Sequence, residues 1–205
     1  MRLGIYGGSF DPVHYGHLLL AELCREQLRL DQVWFIPAAV SPHKQDAPAT
    51  DADHRTEMLR LAIGGNPAMQ VSEIELLRGG VSYTYQTLQD VQDEDPSRKL
   101  FFLMGADSLT DLPSWRKPDE ICRLATLVVV ERADSPPIDF ECLRDVADES
   151  RREEFARHRV KMPRIELSSS EIRKRVRGGQ SIRYQTPAAV EKYVEAEGLY
   201  HLDDA

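Results

Sequence analysis

The first 28 residues combine a short apolar strand, a glycine pair and a helix, and this order limits the folds open to the chain. Residues 2–6 read as the strand, and Gly7 and Gly8 let the backbone approach a ligand closely because they carry no Cβ. From Gly16 onward the apolar residues recur at helical spacing. Such a helix aims its free N–H groups at the carboxyl edge of the strand, where open α/β sheets bind nucleotides. We therefore predict a phosphate-binding site at this junction.

The rest of the chain alternates predicted strands with helical stretches. Strands are predicted at residues 2–6, 33–36, 69–74, 99–104, 125–130 and 164–166. This alternation implies a parallel sheet with right-handed crossovers. Two of the strands contain continuous apolar runs, as strands covered on both faces should. We predict a Rossmann-like α/β fold with a doubly wound parallel sheet in a single domain, residues 1–205, with a small C-terminal helical extension within residues 165–200.

The junction between the first strand and its helix carries two histidines, His14 and His17. The glycines before them do not form G-x-G-x-x-G, and the chain has no G-x-x-x-x-G-K-[ST], so the common phosphate-binding loops are excluded. Zinc is disfavoured because it needs three or four converging ligands, whereas the cysteines are scattered at Cys24, Cys122 and Cys142. The histidines are candidates for phosphate contact, with a purely structural hydrogen-bonding role as the alternative.

A second segment, residues 165–173, predicts another phosphate contact near the far end of the chain. A short strand there runs into Ser168–Ser170, which suit a helix N-cap, and Glu171 complements the positive end of the helix dipole. Arg173 follows within the first turns, with further basic residues after it. The alternative interpretation of this segment is a capped, solvated basic helix.

The net charge of −8 is unevenly distributed along the chain. Residues 151–183 hold eleven Lys or Arg against four Glu, a local charge of +7 that leaves −15 on the remainder. Nucleic acid would be repelled by most of this surface, whereas a small triphosphate can bind at one basic corner. The sequence has no apolar run near the roughly 18 residues that span a bilayer, and no signal-peptide pattern. We expect a cytoplasmic protein with reduced cysteines and no nucleic-acid or membrane partner, and the oligomeric state stays open.

Together, residues 8–17 (GSFDPVHYGH) and 168–173 (SSSEIR) resemble the two marks of the nucleotidylyltransferase superfamily, G-x-F-D-P-x-H-x-G-H and S-S-T-x-I-R. Within it the chain is similar to the bacterial nicotinate-nucleotide adenylyltransferases almost from end to end. The resemblance also rests on Pro42–Lys44, Ser82–Thr84, Gly105–Asp107, Trp115 and residues 187–200. The chain departs from the family pattern at Ser170, at Tyr85–Gln86 near the expected acceptor pocket, and at Gln185–Thr186, which we expect to affect packing of the last helix.

The resemblance implies an enzyme that joins the AMP moiety of ATP to nicotinate mononucleotide and releases pyrophosphate, with Mg²⁺ carried by the ATP phosphates. A phosphate oxygen of the mononucleotide attacks the α-phosphorus, and negative charge accumulates on the equatorial and leaving oxygens. Because the nucleophile is already an anion, positioning and hydrogen-bond donors supply most of the catalysis. This requirement agrees with a motif that is rich in donors and poor in carboxylates.

The family's functional residues map onto matching positions of this chain. His17, His14, Lys44 and Arg173 are the expected catalytic residues. The expected ATP-binding residues are Gly8, Ser9, Phe10, His14, His17, Ser169, Ser170 and Arg173. Lys44 lies on a mobile loop predicted over residues 38–53 and would close over the phosphates. The expected acceptor-binding residues are Thr84, Asp107, Trp115 and Lys44. Each of these has a plainer alternative: Lys44 as an exposed lysine, Thr84 and Asp107 as helix caps, and Trp115 as a core residue.

Two other functions are compatible with the same residues. The first is the same chemistry on nicotinamide mononucleotide or phosphopantetheine. The phosphopantetheine branch commonly has Thr where His14 stands, and is therefore disfavoured, whereas nicotinamide differs from nicotinate by one small group. The second is a non-catalytic sensor of ATP or of a dinucleotide, which could dispense with the histidines. Because His14, His17 and Arg173 are all present, the enzyme is the favoured interpretation.

Overall fold

Six strands form one parallel sheet in the computed structural model, which describes residues 1–42, 50–132 and 138–201. The strands are β1 (Arg2–Gly8), β2 (Gln32–Pro37), β3 (Met69–Val71), β4 (Lys99–Gly105), β5 (Ala125–Arg132) and β6 (Val160–Met162). Their order across the sheet is β3-β2-β1-β4-β5-β6, and every pair is parallel. The predicted Rossmann-like α/β fold is therefore confirmed.

Helices connect the strands and lie against the sheet. They are α1 (Tyr15–Leu28), α2 (Ala52–Ile63), α3 (Ile74–Arg78), α4 (Thr84–Glu94), α5 (Ala106–Asp111), α6 (Pro118–Leu124), α7 (Glu149–Arg157), α8 (Ser169–Arg177) and α9 (Ala188–Ala196). Two short 3₁₀ helices cover Leu112–Ser114 and Phe140–Leu143. None of the helices within the described ranges is both long and apolar enough to cross a membrane.

The strands bury side chains on both faces, which is why their sequences are so apolar. Along β4, Phe101 and Leu103 belong to one buried cluster, whereas Phe102 and Met104 belong to another. Because successive side chains of a strand point to opposite faces, the two clusters lie on opposite sides of the sheet. The first cluster also contains Val190, Val194 and Tyr200, so the C-terminal helical extension packs on the same core as α1 and α2.

The strand order reverses between β1 and β4, and this point determines where a ligand can bind. Ile5 of β1 is paired with Trp34 of β2 on one side and with Phe102 of β4 on the other. The chain leaves β1 to build one half of the sheet and returns through β4 to build the other. Open α/β sheets bind ligands in the crevice beyond the carboxyl ends of the strands at such a reversal.

Two of the predicted strands differ from the structure. The sixth strand lies at Val160–Met162 and not at 164–166, because Val160 and Met162 are buried and pair with β5, and Pro163 then offers no N–H to a ladder. Charged neighbours at 159 and 161 conceal this short strand in the sequence. The third strand ends at Val71, since α3 already begins at Ile74.

Candidate active site

The loop between β1 and α1 is shaped around the ring of Phe10. This residue has a left-handed backbone (φ +50°), and its side chain is 1 % exposed. A Cβ added at Gly8 would lie only 3.0 Å from Phe10 Cζ, so the glycine makes room for the ring. Phe10 was expected to bind ATP, but its side chain is buried in the core and packs edge-on against His17 at 5.1 Å between ring centroids. Its side chain therefore supports His17 and leaves only its backbone for a nucleotide.

The two histidines stack on one another at the start of α1. Their ring centroids are 3.7 Å apart with an interplanar angle of 23°, and the His14 backbone N–H donates to His17 Nδ1 at 3.3 Å. Because Nδ1 of His17 accepts, the proton of the neutral ring lies on Nε2, which is then a hydrogen-bond donor. A Cβ at Gly16 would lie 3.0 Å from His14 Cε1 and Nδ1. The glycine in H-x-G-H therefore allows the first imidazole to fold over the helix start.

His14 is a buried imidazole and not a cation. It is 5 % exposed, and burial lowers its pKa from 6.5 to about 4. At neutral pH it is therefore uncharged. Any contribution of His14 to phosphate binding must come from hydrogen bonding or from holding His17.

The second motif contacts the first. Ser168 is the N-cap of α8 and accepts from the Glu171 N–H at 3.2 Å, as its sequence predicted. Ser169 Oγ donates to the Pro12 carbonyl at 2.9 Å, and Arg173 Nη1 donates to the Asp11 carbonyl at 2.6 Å. Two segments about 155 residues apart in the chain thus meet at the loop that carries the histidines. Ser170, the second residue of α8, is exposed.

Further residues that the sequence did not identify hold this loop. Asp11 is 5 % exposed, and its carboxylate accepts from Tyr200 Oη at 2.7 Å and from the Thr50 N–H at 3.2 Å. Arg55, 2 % exposed, donates to the Ser9 carbonyl at 3.0 Å. Tyr200 lies within the C-terminal part of the resemblance, residues 187–200, but no role was assigned to it, and spacing alone could not pair Asp11 with a residue 189 positions away.

The departure at Gln185–Thr186 also contacts this loop. Thr186 Oγ1 donates to the Val13 carbonyl at 2.8 Å, and the Tyr15 N–H donates to the Gln185 carbonyl at 3.1 Å. We expected these two residues to affect packing of the last helix. The structure adds a contact to this expectation: Gln185 and Thr186 directly precede α9, and the Thr186 side chain and the Gln185 backbone bind the loop over residues 9–14, called the histidine loop below.

A cavity of about 730 Å³ lies beside the end of β1. Its apolar floor is formed by Ile5, Ile36 and Phe102 from β1, β2 and β4. Its walls include Gly8, Ser9, Tyr83, Thr84, Trp115 and Arg116. The cavity therefore opens at the reversal of strand order, where a ligand is expected.

Four of the predicted residues, Gly8, Ser9, Thr84 and Trp115, line this cavity together. Thr84 is the first residue of α4, and Tyr83 takes the N-cap position that was the alternative role of Thr84. Trp115 is half-buried and packs edge-to-face on Phe102 at 6.2 Å between centroids, so it both contacts the core and faces the cavity.

Of the other two residues expected to bind the acceptor, only Asp107 lies in the described part of the chain. Asp107 is an exposed residue in the first turn of α5 and does not line the cavity, although its neighbour Ser108 does. Lys44 falls within residues 43–49, outside the described part of the chain. At the described start of the predicted loop, the Ala39 N–H donates to Ser82 Oγ at 2.9 Å. Tyr85 and Gln86, where the sequence departs from the family pattern, do not line the cavity.

Glu75 is a buried acid in the cavity wall that the sequence did not reveal. It is 6 % exposed, and Thr87 Oγ1 donates to its Oε1 at 2.6 Å. Burial raises its pKa above the usual range for Glu. Among residues 1–42, 50–132 and 138–201, no group of three or more His, Cys, Asp or Glu side chains is arranged to hold a metal ion.

Comparison with known proteins agrees with this geometry. The cytidylyltransferase-like family matches residues 5–175. A probable nicotinate-nucleotide adenylyltransferase of Thermomicrobium roseum is 44 % identical over 207 residues, covering 100 % of this chain and 94 % of the relative. The corresponding protein of Rhodopirellula baltica is 41 % identical over 200 residues, covering 98 % and 94 %. The solved structure of Plasmodium falciparum nicotinic acid mononucleotide adenylyltransferase complexed with NaAD superimposes with a TM-score of 0.74 at 21 % identity, covering 97 % of both chains, which supports the fold.

Proposed function

Because the chain belongs to the nicotinate-nucleotide adenylyltransferases, within the cytidylyltransferase-like family, we propose that it transfers the AMP moiety of ATP to nicotinate mononucleotide and releases pyrophosphate. One structural observation supports the proposal independently of the similarity to known proteins. The histidine loop and the start of α8 meet beside a cavity lined by Thr84 and Trp115. A triphosphate and a mononucleotide can therefore bind at one edge of the sheet.

In the proposed reaction, the phosphate oxygen of the mononucleotide attacks the α-phosphorus of ATP in line with the departing pyrophosphate. His17 donates from Nε2 to an α-phosphate oxygen as negative charge builds there. The support is the hydrogen bond that His17 Nδ1 accepts, which directs the proton to the other nitrogen. His14, uncharged at neutral pH, stacks on His17 and holds its orientation.

The start of α8 is proposed to bind the β- and γ-phosphates. Its free N–H groups carry the positive end of the helix dipole, and Ser169, Ser170 and Arg173 lie in its first turns. Arg173 Nη1 already donates to the Asp11 carbonyl, which fixes the guanidinium beside the histidine loop. Gly8 and Ser9 are proposed to contact phosphate from the other side, and Lys44 to close over both substrates.

Mg²⁺ is proposed to bind to the phosphates of ATP, where it neutralises charge on the leaving pyrophosphate. The side chains around the histidine loop fit phosphate oxygens better than they fit the ion, since imidazole, hydroxyl and guanidinium groups donate hydrogen bonds. The carboxylate nearest the histidines along the loop, Asp11, already accepts from Tyr200 and from the Thr50 N–H.

For the acceptor, we propose that the pyridine ring stacks on Trp115 and that its carboxylate binds at Thr84 and the neighbouring backbone N–H groups, at the start of α4. Asp107 is proposed to bind ribose hydroxyls at the edge of the cavity. A cytoplasmic location is part of the proposal and is supported by the free state of Cys24, Cys122 and Cys142.

The test is turnover by the purified protein with ATP and Mg²⁺. Nicotinate mononucleotide, nicotinamide mononucleotide and phosphopantetheine are offered separately, and pyrophosphate release is measured. We expect release mainly with nicotinate mononucleotide. ATP binding without pyrophosphate release from any acceptor would contradict the proposal and identify a sensor. Release only with phosphopantetheine would assign the enzyme to another branch.

A further inference from the structure

Arg116 is the cationic side chain in the wall of the cavity. Of the described residues that line the cavity, only Arg116 and Glu75 carry a charge at neutral pH in their usual ionised forms. The acceptor of the proposed function carries two anionic groups, a 5′-phosphate and a carboxylate on the pyridine ring. Nicotinamide mononucleotide carries only the phosphate, so the two acceptors differ in charge at one end.

The guanidinium of Arg116 is held in place by an aromatic ring. Its Cζ lies 5.0 Å from the centroid of the Tyr83 ring, a cation–π contact that orients a long and exposed side chain. Tyr83 immediately precedes Thr84, and Arg116 immediately follows Trp115. The cation and the ring beneath it are thus the chain neighbours of the two residues assigned to the pyridine ring and its carboxylate, and all four residues line the same cavity.

The charge of Arg116 is not neutralised by an acid in the described part of the chain. No carboxylate of residues 1–42, 50–132 or 138–201 forms an ion pair with it within 4.0 Å. The acid in the same cavity wall, Glu75, accepts from Thr87 and has its pKa raised by burial. Within the described residues, Arg116 is consequently available to pair with an anionic group that enters the cavity.

The acceptor phosphate cannot be the main partner of Arg116 in the proposed reaction. That phosphate supplies the nucleophile and must lie next to the α-phosphate of ATP, at the histidine loop. The Tyr83–Thr84 pair lies at the start of α4 and the Trp115–Arg116 pair follows the 3₁₀ helix Leu112–Ser114, and both pairs line the part of the cavity assigned to the pyridine ring. The group of the acceptor that reaches the guanidinium is then the pyridine carboxylate.

We propose that Arg116 determines acceptor specificity by binding the carboxylate of nicotinate mononucleotide, an inference that rests on the proposed function. A guanidinium can donate two parallel hydrogen bonds to a carboxylate, and each is strengthened by the opposite charges. The carboxamide of nicotinamide mononucleotide offers one neutral acceptor and an NH₂ group that a guanidinium repels. The charge of Arg116 therefore favours nicotinate mononucleotide, with its carboxylate, over nicotinamide mononucleotide.

The test compares acceptors in Arg116→Gln, Arg116→Lys and a matched control. Lys117 is the neighbouring exposed cation, and its Nζ lies 4.8 Å from the Tyr85 ring centroid, but it does not line the cavity. In Arg116→Gln we expect the ratio of kcat/KM for nicotinate over nicotinamide mononucleotide to fall about tenfold. The fall should come from a higher KM for nicotinate mononucleotide, with kcat, the KM for ATP and the nicotinamide reaction unchanged. Lys117→Gln should leave the ratio unchanged.

Two further measurements separate charge from geometry. Arg116→Lys keeps the charge and loses the planar fork, so it should restore only part of the ratio. In the wild type the ratio should decrease as ionic strength rises, because a partly exposed charge pair is screened. An equal loss with both acceptors, no loss with either, or the same loss in Lys117→Gln would overturn the inference.

The same experiment distinguishes this inference from the proposed function. Wild-type protein that releases pyrophosphate with neither pyridine acceptor refutes the function and the inference together. Wild-type protein that uses nicotinate mononucleotide, with an Arg116→Gln variant of unchanged selectivity, refutes only the role of Arg116. Thermal unfolding of each variant checks the fold, and we expect it to be intact because Arg116 and Lys117 are exposed.

Discussion

The two ends of the proposed site are held by different kinds of contact. At the histidine end, four carbonyl groups of one short loop each accept a hydrogen bond from a side chain of another element. The pairs are Ser9 with Arg55, Asp11 with Arg173, Pro12 with Ser169, and Val13 with Thr186. The donors come from α2, α8 and the segment that precedes α9. The loop is thereby fixed before any nucleotide binds.

The acceptor end depends on aromatic rings and an exposed charge. Trp115 packs on Phe102, Arg116 lies over Tyr83, and Lys117 lies over Tyr85. The first two contacts position side chains in the cavity wall, the third lies outside the cavity lining, and none of the three binds the backbone of the loop that carries it. We therefore expect a change of one side chain here to alter the cavity more than it alters the loop backbone.

This difference between the two ends indicates that one end determines the rate of the reaction and the other determines which acceptor is used. Catalysis by positioned donors requires the histidines to be placed within fractions of an ångström, and a densely hydrogen-bonded loop provides this. Selection between acceptors requires only a difference in affinity at one end of the substrate. Substitutions at the histidine end should therefore reduce turnover with every acceptor, and substitutions at the other end should change which acceptor is used.

The largest effect is expected for His17→Ala. This variant removes a donor that acts in the transition state, so kcat should fall roughly 100-fold to 1,000-fold, equally with every acceptor. The KM values should change little, and thermal unfolding should show an intact fold. Steady-state pyrophosphate release measures the loss.

His54→Ala is the matched control for His17→Ala. His54 lies on α2, and its Nδ1 is 2.8 Å from Tyr193 Oη, away from the loop. Its removal should leave kcat unchanged. Wild-type kcat in a folded His17→Ala protein would exclude the assignment of the donor.

The next effect concerns the pH dependence of stability. Burial lowers the pKa of His14 from 6.5 to about 4 in the folded protein, so between these values the unfolded chain binds the proton more readily. Stability should consequently decrease as pH falls from about 6.5 towards 4, by up to about 3 kcal/mol from this group alone. Well above pH 6.5, where His14 is neutral in both the folded and the unfolded chain, it contributes no pH dependence.

Urea unfolding at several pH values measures this contribution. The free energy of unfolding is compared between the wild type and His14→Asn, which has no group that titrates in this range at position 14. The slope between pH 6.5 and 4 should be smaller in the variant, whatever its stability at pH 7. Identical slopes would show that His14 takes up a proton in the folded state.

The sequence predicted the fold well because the strands are buried on both faces. Continuous apolar runs such as those within β4 and β5 are typical of such strands in a chain that alternates strands with helices. The exception, β6, is a three-residue edge strand whose middle residue, Lys161, is exposed, so its pattern is too short and too polar to recognise. Both histidines and the Ser168 N-cap could be located because each occupies a fixed position relative to a helix start.

The partners of the histidine loop could not be predicted, and the reason is physical. Asp11 bonds Tyr200, and Val13 bonds Thr186, across more than 170 residues of chain. Local spacing carries information about residues on one helix or strand, whereas these pairs depend on how α8 and α9 return to β1. The charge of Arg116 was equally hidden, since nothing in W-R-K-P indicates which of the two cations faces a cavity.

The smallest of these effects is expected for Trp115→Ala, and it tests the acceptor end directly. Removal of the indole should raise the KM for nicotinate mononucleotide about tenfold, since stacking between aromatic rings contributes about 1 kcal/mol beyond the area buried. The KM for ATP should not change, because Trp115 is assigned to the pyridine ring of the acceptor and not to the nucleotide. Steady-state kinetics with each substrate varied in turn measures both values.

The other tryptophan provides the control for Trp115→Ala. Trp34 is on β2, its ring is covered by the Arg98 guanidinium at 4.8 Å, and it does not line the cavity. Trp34→Ala should lower stability and leave both KM values unchanged. If Trp115→Ala instead weakened ATP binding, the indole would belong to the nucleotide end. The separation between a fixed catalytic loop and an adjustable acceptor cavity would then have to be abandoned, because one side chain would serve both.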